Sequence, residues 1–373
     1  MQRADRIGRM SMEYLTIPES GTGREQITRA AQVVLDGGLV AFPTETVYGL
    51  GCNAFDERAV RRVFAAKRRP LDNPLIVHVG QDWPMPELSD GRSLRVIEHL
   101  AREFWPGPLT VVVPGGAEFA PSVRGGRSTV AIRCPDHPIA LALLDVAGVP
   151  IAAPSANSFG YISPTSARHV AEDLGDLCDV ILDAGRTRHG LESTVVELQE
   201  GKIILLRHGA IPLERLRVSV PASVSVSDGA DTSRGPRRSP GLHQRHYSPR
   251  AESVAVSPGL DLNDVSLQGP LLNEGIRYVG YDDRQSLVPA EWSRLTLGSI
   301  LDAELVAHDL YDNLRRFDPP DHRGLLILEL TGEPGLGKAI DDRLTRAASG
   351  TILTSTEAVR RFVAQLNQNR AGS

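Results

Sequence analysis

The chain has 373 residues, of which 41% are hydrophobic, so it is long enough for two domains with packed cores. Its net charge of −5 excludes a surface that is basic throughout, and a polyanion would meet a local patch only. The three cysteines have no CxxC spacing, which argues against a disulfide-stabilised secreted protein. The N-terminus has no signal-peptide core, and no apolar run approaches the roughly 20 residues of a membrane helix, so a membrane protein is not expected. We therefore expect a cytoplasmic protein.

The first predicted elements surround a polar loop. Residues 1–20 are a predicted polar lead-in, and residues 24–35 have the apolar spacing of a helix that ends at Gly37 and Gly38. An apolar strand, residues 39–42, runs into a hydroxyl-rich loop that turns at Gly49 and Gly51 and that a ligand could approach closely. Asp56 is a predicted N-cap for a helix over residues 57–66, and residues 74–79 are a second buried strand.

A cationic cluster, Lys67, Arg68 and Arg69, ends this helix before Pro70. Lys and Arg donors suit phosphate or carboxylate, so the cluster could hold an anion between two strand ends. Cations at a helix C-terminus also complement the macrodipole without any ligand. On this stretch alone both interpretations stay open.

Further strands end in polar side chains. A helix over residues 94–104 and a strand over 109–113 precede the strand 128–134, in which Arg133 among apolar neighbours implies a partner or a ligand. A helix over 138–146 precedes the strand 150–154, which ends at Ser155, Ala156 and Asn157, either a turn or a pocket wall. Ser163 before Pro164 predicts an N-cap and a helix that runs to about Leu174. The free N–H groups at the start of that helix would favour an anion. Strands at 180–183, 193–198 and 203–207 complete an α/β domain.

Composition changes at residues 221–249, which are dense in Ser, Gly, Pro and Arg. We place a linker over 221–250, between a first domain at 1–220 and a second at 251–373. In the second, residues 271–281, a helix over 303–317, a strand over 325–330 and helices over 336–348 and 356–366 alternate as in a small α/β domain.

Short motifs exclude several kinds of site. Residues 332–339 nearly match the phosphate-binding pattern GxxxxGK[ST], but Ala339 replaces its hydroxyl and Pro334 removes an N–H, so we favour a glycine-rich helix start. No HxxxH or HExxH spacing, nucleophile with its base, or carboxylate pair is evident, and we expect no metal held by the protein. Polar groups at strand ends suit chemistry by positioning and charge neutralisation.

Several spaced motifs together resemble the threonylcarbamoyl-AMP synthases of tRNA modification, in their two-domain form. They are residues 43–51 (PTETVYGLG), 67–70 (KRRP), 73–75 (NPL), 155–157 (SAN), 239–241 (SPG), 246–249 (HYSP), 335–339 (GLGKA) and 342–344 (DRL). The resemblance implies an α/β fold: a YrdC-like twisted mixed sheet with helices, followed by a smaller Rossmann-like domain.

The resemblance also implies a reaction. L-threonine, bicarbonate and ATP, with Mg²⁺, would give L-threonylcarbamoyladenylate and pyrophosphate, for N6-threonylcarbamoyladenosine at tRNA position 37. It implies that Lys67 and Arg69 are catalytic. Threonine would contact Thr46, His78, Arg133, Ala153 and Ser193, and ATP would contact Arg69, Asn73, Thr129, Ser155, Ser163, Arg207 and Tyr247.

Alternatives and partners follow from the same resemblance. A carbamoyltransferase could adenylate carbamate for another acceptor, and a basic patch from Arg58 to Arg69 could instead serve tRNA or RNA binding without catalysis. The intermediate would pass to the tRNA threonylcarbamoyl transferase machinery. After residues 239–241 the chain has Leu242, His243 and Gln244, where the family commonly has a basic or aromatic pair. Tyr247 in a spacer-like segment predicts a lid over the nucleotide.

Overall fold

The computed structural model of the protein describes residues 12–18, 22–84, 91–199, 202–229, 246–263, 265, 275–318 and 324–371. Two sheets organise these residues, and both are flanked by helices, which confirms the predicted α/β fold class. No helix in the described ranges has both the length and the apolarity to cross a lipid bilayer.

The first sheet is mixed and has eleven strands. Its strands are β1 (Glu13–Thr16), β2 (Val40–Phe42), β3 (Gly49–Asn53), β4 (Ile76–His78), β5 (Leu109–Pro114), β6 (Thr129–Arg133), β7 (Ile151–Ala153), β8 (Val180–Asp183), β9 (Thr194–Gln199), β10 (Lys202–Arg207) and β11 (Val226–Asp228). They lie in the order β1-β8-β2-β3-β7-β4-β6-β5-β9-β10-β11. The helices that belong with it are α1 (Arg24–Leu35), α2 (Glu57–Lys67), α3 (Gly91–Phe104), α4 (Pro138–Ala147), α5 (Ala167–Asp173) and α6 (Leu213–Ser219).

Both faces of this sheet are buried. On β2, Val40 and Phe42 pack in one core with α1 and α4, whereas Ala41 packs in the opposite core with α2. Successive side chains on a strand point to opposite faces, so a strand covered on both sides is apolar at every position. This explains why β2 is a continuous apolar run in the sequence.

The second sheet is parallel and has five strands, as in a Rossmann-like domain. Its strands are β12 (Glu252–Val256), β13 (Ile276–Gly280), β14 (Ser293–Thr296), β15 (Leu325–Glu329) and β16 (Ile352–Leu353), in the order β14-β13-β15-β12-β16. Its helices are α7 (Ala303–Phe317), α8 (Leu336–Ala347) and α9 (Thr356–Ala371).

Three strands lie where the sequence predicted other structure. Strand β1 belongs to the predicted polar lead-in, and it pairs in parallel with β8. Strand β3 occupies the glycines of the predicted loop, antiparallel to β2. Strand β11 pairs with β10, so the first sheet continues to Asp228, inside the residues that we interpreted as a linker.

Two predicted helix starts have different outcomes. The helix predicted from Ser163 begins instead at Ala167, because Ser166 is the N-cap and accepts a hydrogen bond from the His169 N–H. The helix after the phosphate-like motif begins at Leu336, as expected of a glycine-rich helix start. Asp341 accepts from the N–H groups of Thr331 and Gly332, at 2.6 and 3.0 Å, so these two donors are already bonded within the domain.

Candidate active site

One cavity lies where several strands of the first sheet end. Its volume is about 510 Å³ including the part open to solvent. It is lined by Thr44, Thr46, Val47, Gly49, Arg69, Ile76, His78, Arg133, Ala153, Pro154, Ser155, Glu192, Ser193, Arg207, His246 and Tyr247.

Sheet topology brings these side chains together. Strands β4 and β6 are parallel neighbours in which His78 pairs with Arg133, so both side chains lie at the same sheet edge. Strands β9 and β10 are antiparallel, which places Ser193, just before β9, beside Arg207 at the end of β10. The cavity is therefore built from strand ends that are far apart in the chain.

All five side chains predicted to contact threonine line this cavity. Among them, Arg133 has the most defined geometry: Nη2 donates to Thr46 Oγ1 at 2.9 Å, and Nε donates to the Gly107 carbonyl at 3.3 Å. The Arg133 side chain is buried, which makes a counter-charge necessary.

Glu45 supplies that counter-charge, and the sequence analysis did not single it out. Its Oε1 lies 2.7 Å from Arg133 Nη2, off the N–H direction, so the contact is an ion pair without a well-aligned hydrogen bond. Its position between two threonines that follow an apolar strand was the available signal. Arg133 lines the cavity although it is paired with Glu45, so its guanidinium group can bind a second anion there.

His78 is uncharged in this site. Burial, with the neighbouring charge of Arg133, lowers the pKa of His78 to about 3, so the imidazole is neutral at pH 7. Its Nδ1 has no hydrogen-bond partner within the described part of the chain. A neutral imidazole can accept from or donate to a ligand without adding charge.

Lys67 is buried, contrary to the expectation of an exposed helix end. Its Nζ donates to the Ser155 carbonyl at 2.6 Å and also to the Asn157 carbonyl. Because these carbonyls belong to the loop after β7, the macrodipole interpretation does not account for Lys67. Burial, and then the charge of Arg69, holds the pKa of Lys67 well below its usual value.

Besides Arg133, two further guanidinium groups line the cavity. Arg69 donates to the carbonyls of Asn73 and Pro74 at 3.0 and 2.8 Å, and burial lowers its pKa to about 9. Arg207 donates through Nη2 to the carbonyl and hydroxyl oxygens of Ser193, at 2.8 and 3.0 Å. Both groups are charged at neutral pH, and their backbone bonds fix them in place before any ligand binds.

Of the residues predicted to contact ATP, Arg69, Ser155, Arg207 and Tyr247 line the cavity, whereas Asn73, Thr129 and Ser163 do not. Asn73 is fully buried, and neither amide atom has a partner among the described residues. Thr129 begins β6, roughly 13 Å along the strand from Arg133. Ser163 donates to Glu192 Oε1 at 2.6 Å. These contacts with ATP stay predictions.

Glu192 lines the cavity, and the sequence analysis did not identify it. Its Oε2 accepts from Tyr311 Oη at 2.8 Å and from Arg343 Nε at 2.7 Å, both in the second domain. Burial alone would raise the pKa of Glu192, but Arg343, Arg207 and the Ser163 hydroxyl lower it below its usual value. The cavity wall is therefore bonded directly to the second domain.

The HYSP motif lies against the cavity. His246 and Tyr247 line it and are buried, and the Ser248 N–H donates to the Gly160 carbonyl at 2.8 Å. The SPG motif and the departure at residues 242–244 lie outside the described residues. Within the described ranges, no group of three or more His, Cys, Asp or Glu side chains could hold a metal ion.

Comparisons with known proteins agree with this architecture. Residues 32–209 match the family described as "Telomere recombination" (Sua5_yciO_yrdC), and residues 211–349 match "Threonylcarbamoyl-AMP synthase, C-terminal domain". Threonylcarbamoyl-AMP synthase from Pyrococcus abyssi is 40% identical over 88% of this chain and 95% of its own length. The Bacillus subtilis protein of the same name is 39% identical over 90% of this chain and 96% of its own length.

A solved structure is similar over both domains. The crystal structure of P. abyssi Sua5 complexed with L-threonine is 35% identical, covers 92% of this chain and 99% of its own, and has a TM-score of 0.75. The likeness therefore spans the large sheet and the smaller parallel sheet together.

Proposed function

Since the chain belongs to the threonylcarbamoyl-AMP synthase family, we propose that it forms L-threonylcarbamoyladenylate from L-threonine, bicarbonate and ATP, with release of pyrophosphate. The observation that carries the proposal is that one cavity contains residues assigned to both substrates. It is lined by all five side chains assigned to threonine and by four of those assigned to ATP. The L-threonine complex of the P. abyssi relative supports threonine as the amino acid.

The charges suit these substrates. Arg133 keeps a face for the threonine carboxylate, while the hydroxyls of Thr46 and Ser193 suit its polar groups. Arg69 and Arg207 suit the phosphates of ATP. Neutral His78 offers a hydrogen bond beside the carboxylate without competing with it for Arg133.

The chemistry has two bond-forming steps. The threonine amine attacks the carbon of bicarbonate, the C–OH bond breaks, and the hydroxyl group leaves as water with a proton from the amine, which gives a carbamate. A carbamate oxygen then attacks the α-phosphorus of ATP. The new O–P bond replaces the bond to the β-phosphate oxygen, and pyrophosphate leaves with its electron pair. Arg69 and Arg207, already held by backbone and side-chain oxygens, would stabilise the charge on the phosphates.

Lys67 and Arg69 divide the catalytic role that the resemblance assigned to both. Arg69 lines the cavity and would contact phosphate directly. Lys67 bonds the loop that presents Ser155, and so would act by positioning it. Mg²⁺ would enter with ATP, bound to its phosphate oxygens, and would neutralise the leaving pyrophosphate.

The wider assignments are also proposals. The adenylate would be delivered in the cytoplasm to the tRNA threonylcarbamoyl transferase machinery, for tRNA position 37. Direct binding of RNA also stays a prediction. Within the predicted basic patch, Lys67 and Arg69 are buried, whereas Arg58, Arg61, Arg62 and Arg68 are exposed. Arg61 and Arg62 pair with Glu57 and Asp179, which offsets part of the exposed positive charge.

The test is pyrophosphate release by the purified chain, with mass spectrometry of the product. We expect release only when ATP, threonine and bicarbonate are all present, and a product with the mass of threonylcarbamoyladenylate, in the absence of RNA. Equal release with serine, or without an amino acid, would contradict the threonine assignment. Release without threonine that yields a carbamoyl adenylate would favour the carbamoyltransferase alternative.

A further inference from the structure

Tyr247 is held over the cavity in a conformation that its own residue type does not favour. Its φ is 59°, in the left-handed region that non-glycine residues rarely adopt. The ring is almost fully buried, and its Oη has no hydrogen-bond partner among the described residues. Such a conformation is unfavourable for a non-glycine residue, so contacts from the surrounding structure must hold it in place.

The second domain supplies that surrounding structure. The Tyr311 ring, on α7, is stacked on the Tyr247 ring with centroids 5.6 Å apart and planes at 26°. The Arg343 guanidinium, on α8, lies over the Tyr247 ring with Cζ 4.9 Å from its centroid. An aromatic stack and a desolvated cation–π contact both stabilise the ring in this position and so oppose the backbone cost.

The same two side chains hold the cavity wall. Tyr311 and Arg343 both donate to Glu192 Oε2, and Arg343 Nη2 also donates to the His208 carbonyl at 2.9 Å. His208 directly follows Arg207, which lines the cavity. Arg343 therefore contacts the lid residue, the acidic wall residue and the strand end that presents a phosphate-facing arginine.

The backbone contact at this point is equally close. Gly190, two residues before Glu192, has a φ of 70°, and a Cβ there would lie 2.2 Å from the carbonyl oxygen of His308 on α7. The loop that presents Glu192 thus rests directly on the second domain, with no room for a side chain between them.

We infer that Arg343 and Tyr311 of the second domain are positioning residues of the adenylate-forming site, which seat Tyr247 on the cavity and fix Glu192 in its wall. The inference rests on the proposed function for its catalytic meaning. It gives the second domain a part in closing the site over ATP and in keeping water from the mixed anhydride.

The test compares three substitutions in the full chain. Tyr311→Phe keeps the ring and removes only the hydroxyl. Arg343→Lys keeps the charge and removes the planar group over Tyr247. Arg186→Gln is the matched control, because the Arg186–Asp309 pair also joins the domains, at 2.7 Å, without touching a cavity residue.

We expect the two site variants to weaken ATP binding, measured by calorimetry without threonine, by about 3- to 10-fold for Tyr311→Phe and about 10- to 100-fold for Arg343→Lys. In steady-state kinetics, both variants should have a higher KM for ATP than the wild type. They should also release more pyrophosphate per molecule of adenylate recovered, because water reaches the mixed anhydride more easily. Arg186→Gln should match the wild type in all three measurements, even if its melting temperature falls.

Two outcomes would overturn the inference: wild-type ATP binding and coupling in both site variants, or the same loss in Arg186→Gln as in Arg343→Lys. Either would mean that the residues only join the domains. Failure of the proposed function has a different signature, namely a wild-type chain without threonine-dependent pyrophosphate release. The calorimetric comparison still decides the positioning role in that case.

Discussion

Lys67 and Arg69 are adjacent in the KRRP motif, but their side chains perform different physical tasks. Lys67 donates hydrogen bonds to two carbonyls of the loop after β7, so it contributes to the free energy of unfolding. Arg69 is anchored by Asn73 and Pro74 and still lines the cavity. Stability and activity should therefore respond differently to substitutions at the two positions.

We expect Lys67→Met to lower the free energy of unfolding by about 2 to 4 kcal/mol, because two buried carbonyls lose their donor. Arg69→Lys should keep most of the stability and lower kcat/KM for ATP by about 10- to 1000-fold, because one preorganised electrostatic contact is lost. Urea denaturation and steady-state kinetics on both variants test this. A stable but inactive Lys67→Met would instead assign Lys67 a direct catalytic role.

The family resemblance assigned most of the cavity residues that were predicted, and Arg133 and Ser155 were also indicated by a local pattern, a polar side chain at the end of an apolar strand. His78, Arg133 and Ser155 all follow that pattern. Glu192 could not be assigned, because its partners Tyr311 and Arg343 are 119 and 151 residues away in the chain. A pair across two domains leaves no periodicity in either segment.

At the scale of elements, glycine was one source of error. Gly49 and Gly51 indicated a turn, yet they lie in β3, where glycine leaves room for side chains of the neighbouring strands β2 and β7. A Cβ at Gly51 would lie 2.5 Å from Ile151 Cγ2 and 2.7 Å from Phe42 Cε1. Turn propensity and close approach give the same residue type, and the sequence alone does not separate them.

We expect Gly51→Ala to lower the free energy of unfolding by about 1 to 3 kcal/mol, the usual cost of overpacking a core. Gly80→Ala is the control, because a Cβ there meets no atom within 4 Å, and it should be neutral or slightly stabilising. Urea midpoints at equal m-values give the comparison. If the two variants are equally stable, the close approach at β3 does not limit the packing.

Helix α2 shows what local signals do determine. Asp56 accepts from the N–H groups of Arg58 and Ala59, as an N-cap should, and the helix ends beside Arg68, whose φ of 54° terminates it before Pro70. These features act within a few residues, so they were predictable. Strand β1 was not, since the strand that it pairs with, β8, is distant in the chain.

At the scale of the whole molecule, the fold buries histidines in their neutral form. Burial is the largest cause that lowers the pKa of His78, His137, His169 and His189. In the unfolded chain these groups have a pKa near 6.5. Between that value and the folded pKa, the unfolded state binds more protons, so stability falls as pH falls through this window.

His78 gives the size of this loss of stability for one residue. With a folded pKa of about 3, His78 stays neutral down to pH 5, and acidification from pH 6.5 to 5 should cost about 2 kcal/mol through this residue alone. Carboxylates with lowered pKa, such as Glu192, add to the loss at lower pH, because their contribution is present above the unfolded pKa and lost as they protonate.

His137 allows this origin to be tested without disturbing the cavity. It is the N-cap of α4, where the unprotonated Nδ1 accepts from the Ile139 N–H at 3.2 Å, so protonation would remove the cap. His137→Asn keeps a strong N-cap and removes the titration. The variant should equal the wild type at pH 7.5 and lose less stability on acidification to pH 5, as measured by urea denaturation. Parallel pH profiles for the two proteins would mean that His137 protonates equally well in the folded and unfolded chains, and that the acid sensitivity arises at the other buried groups.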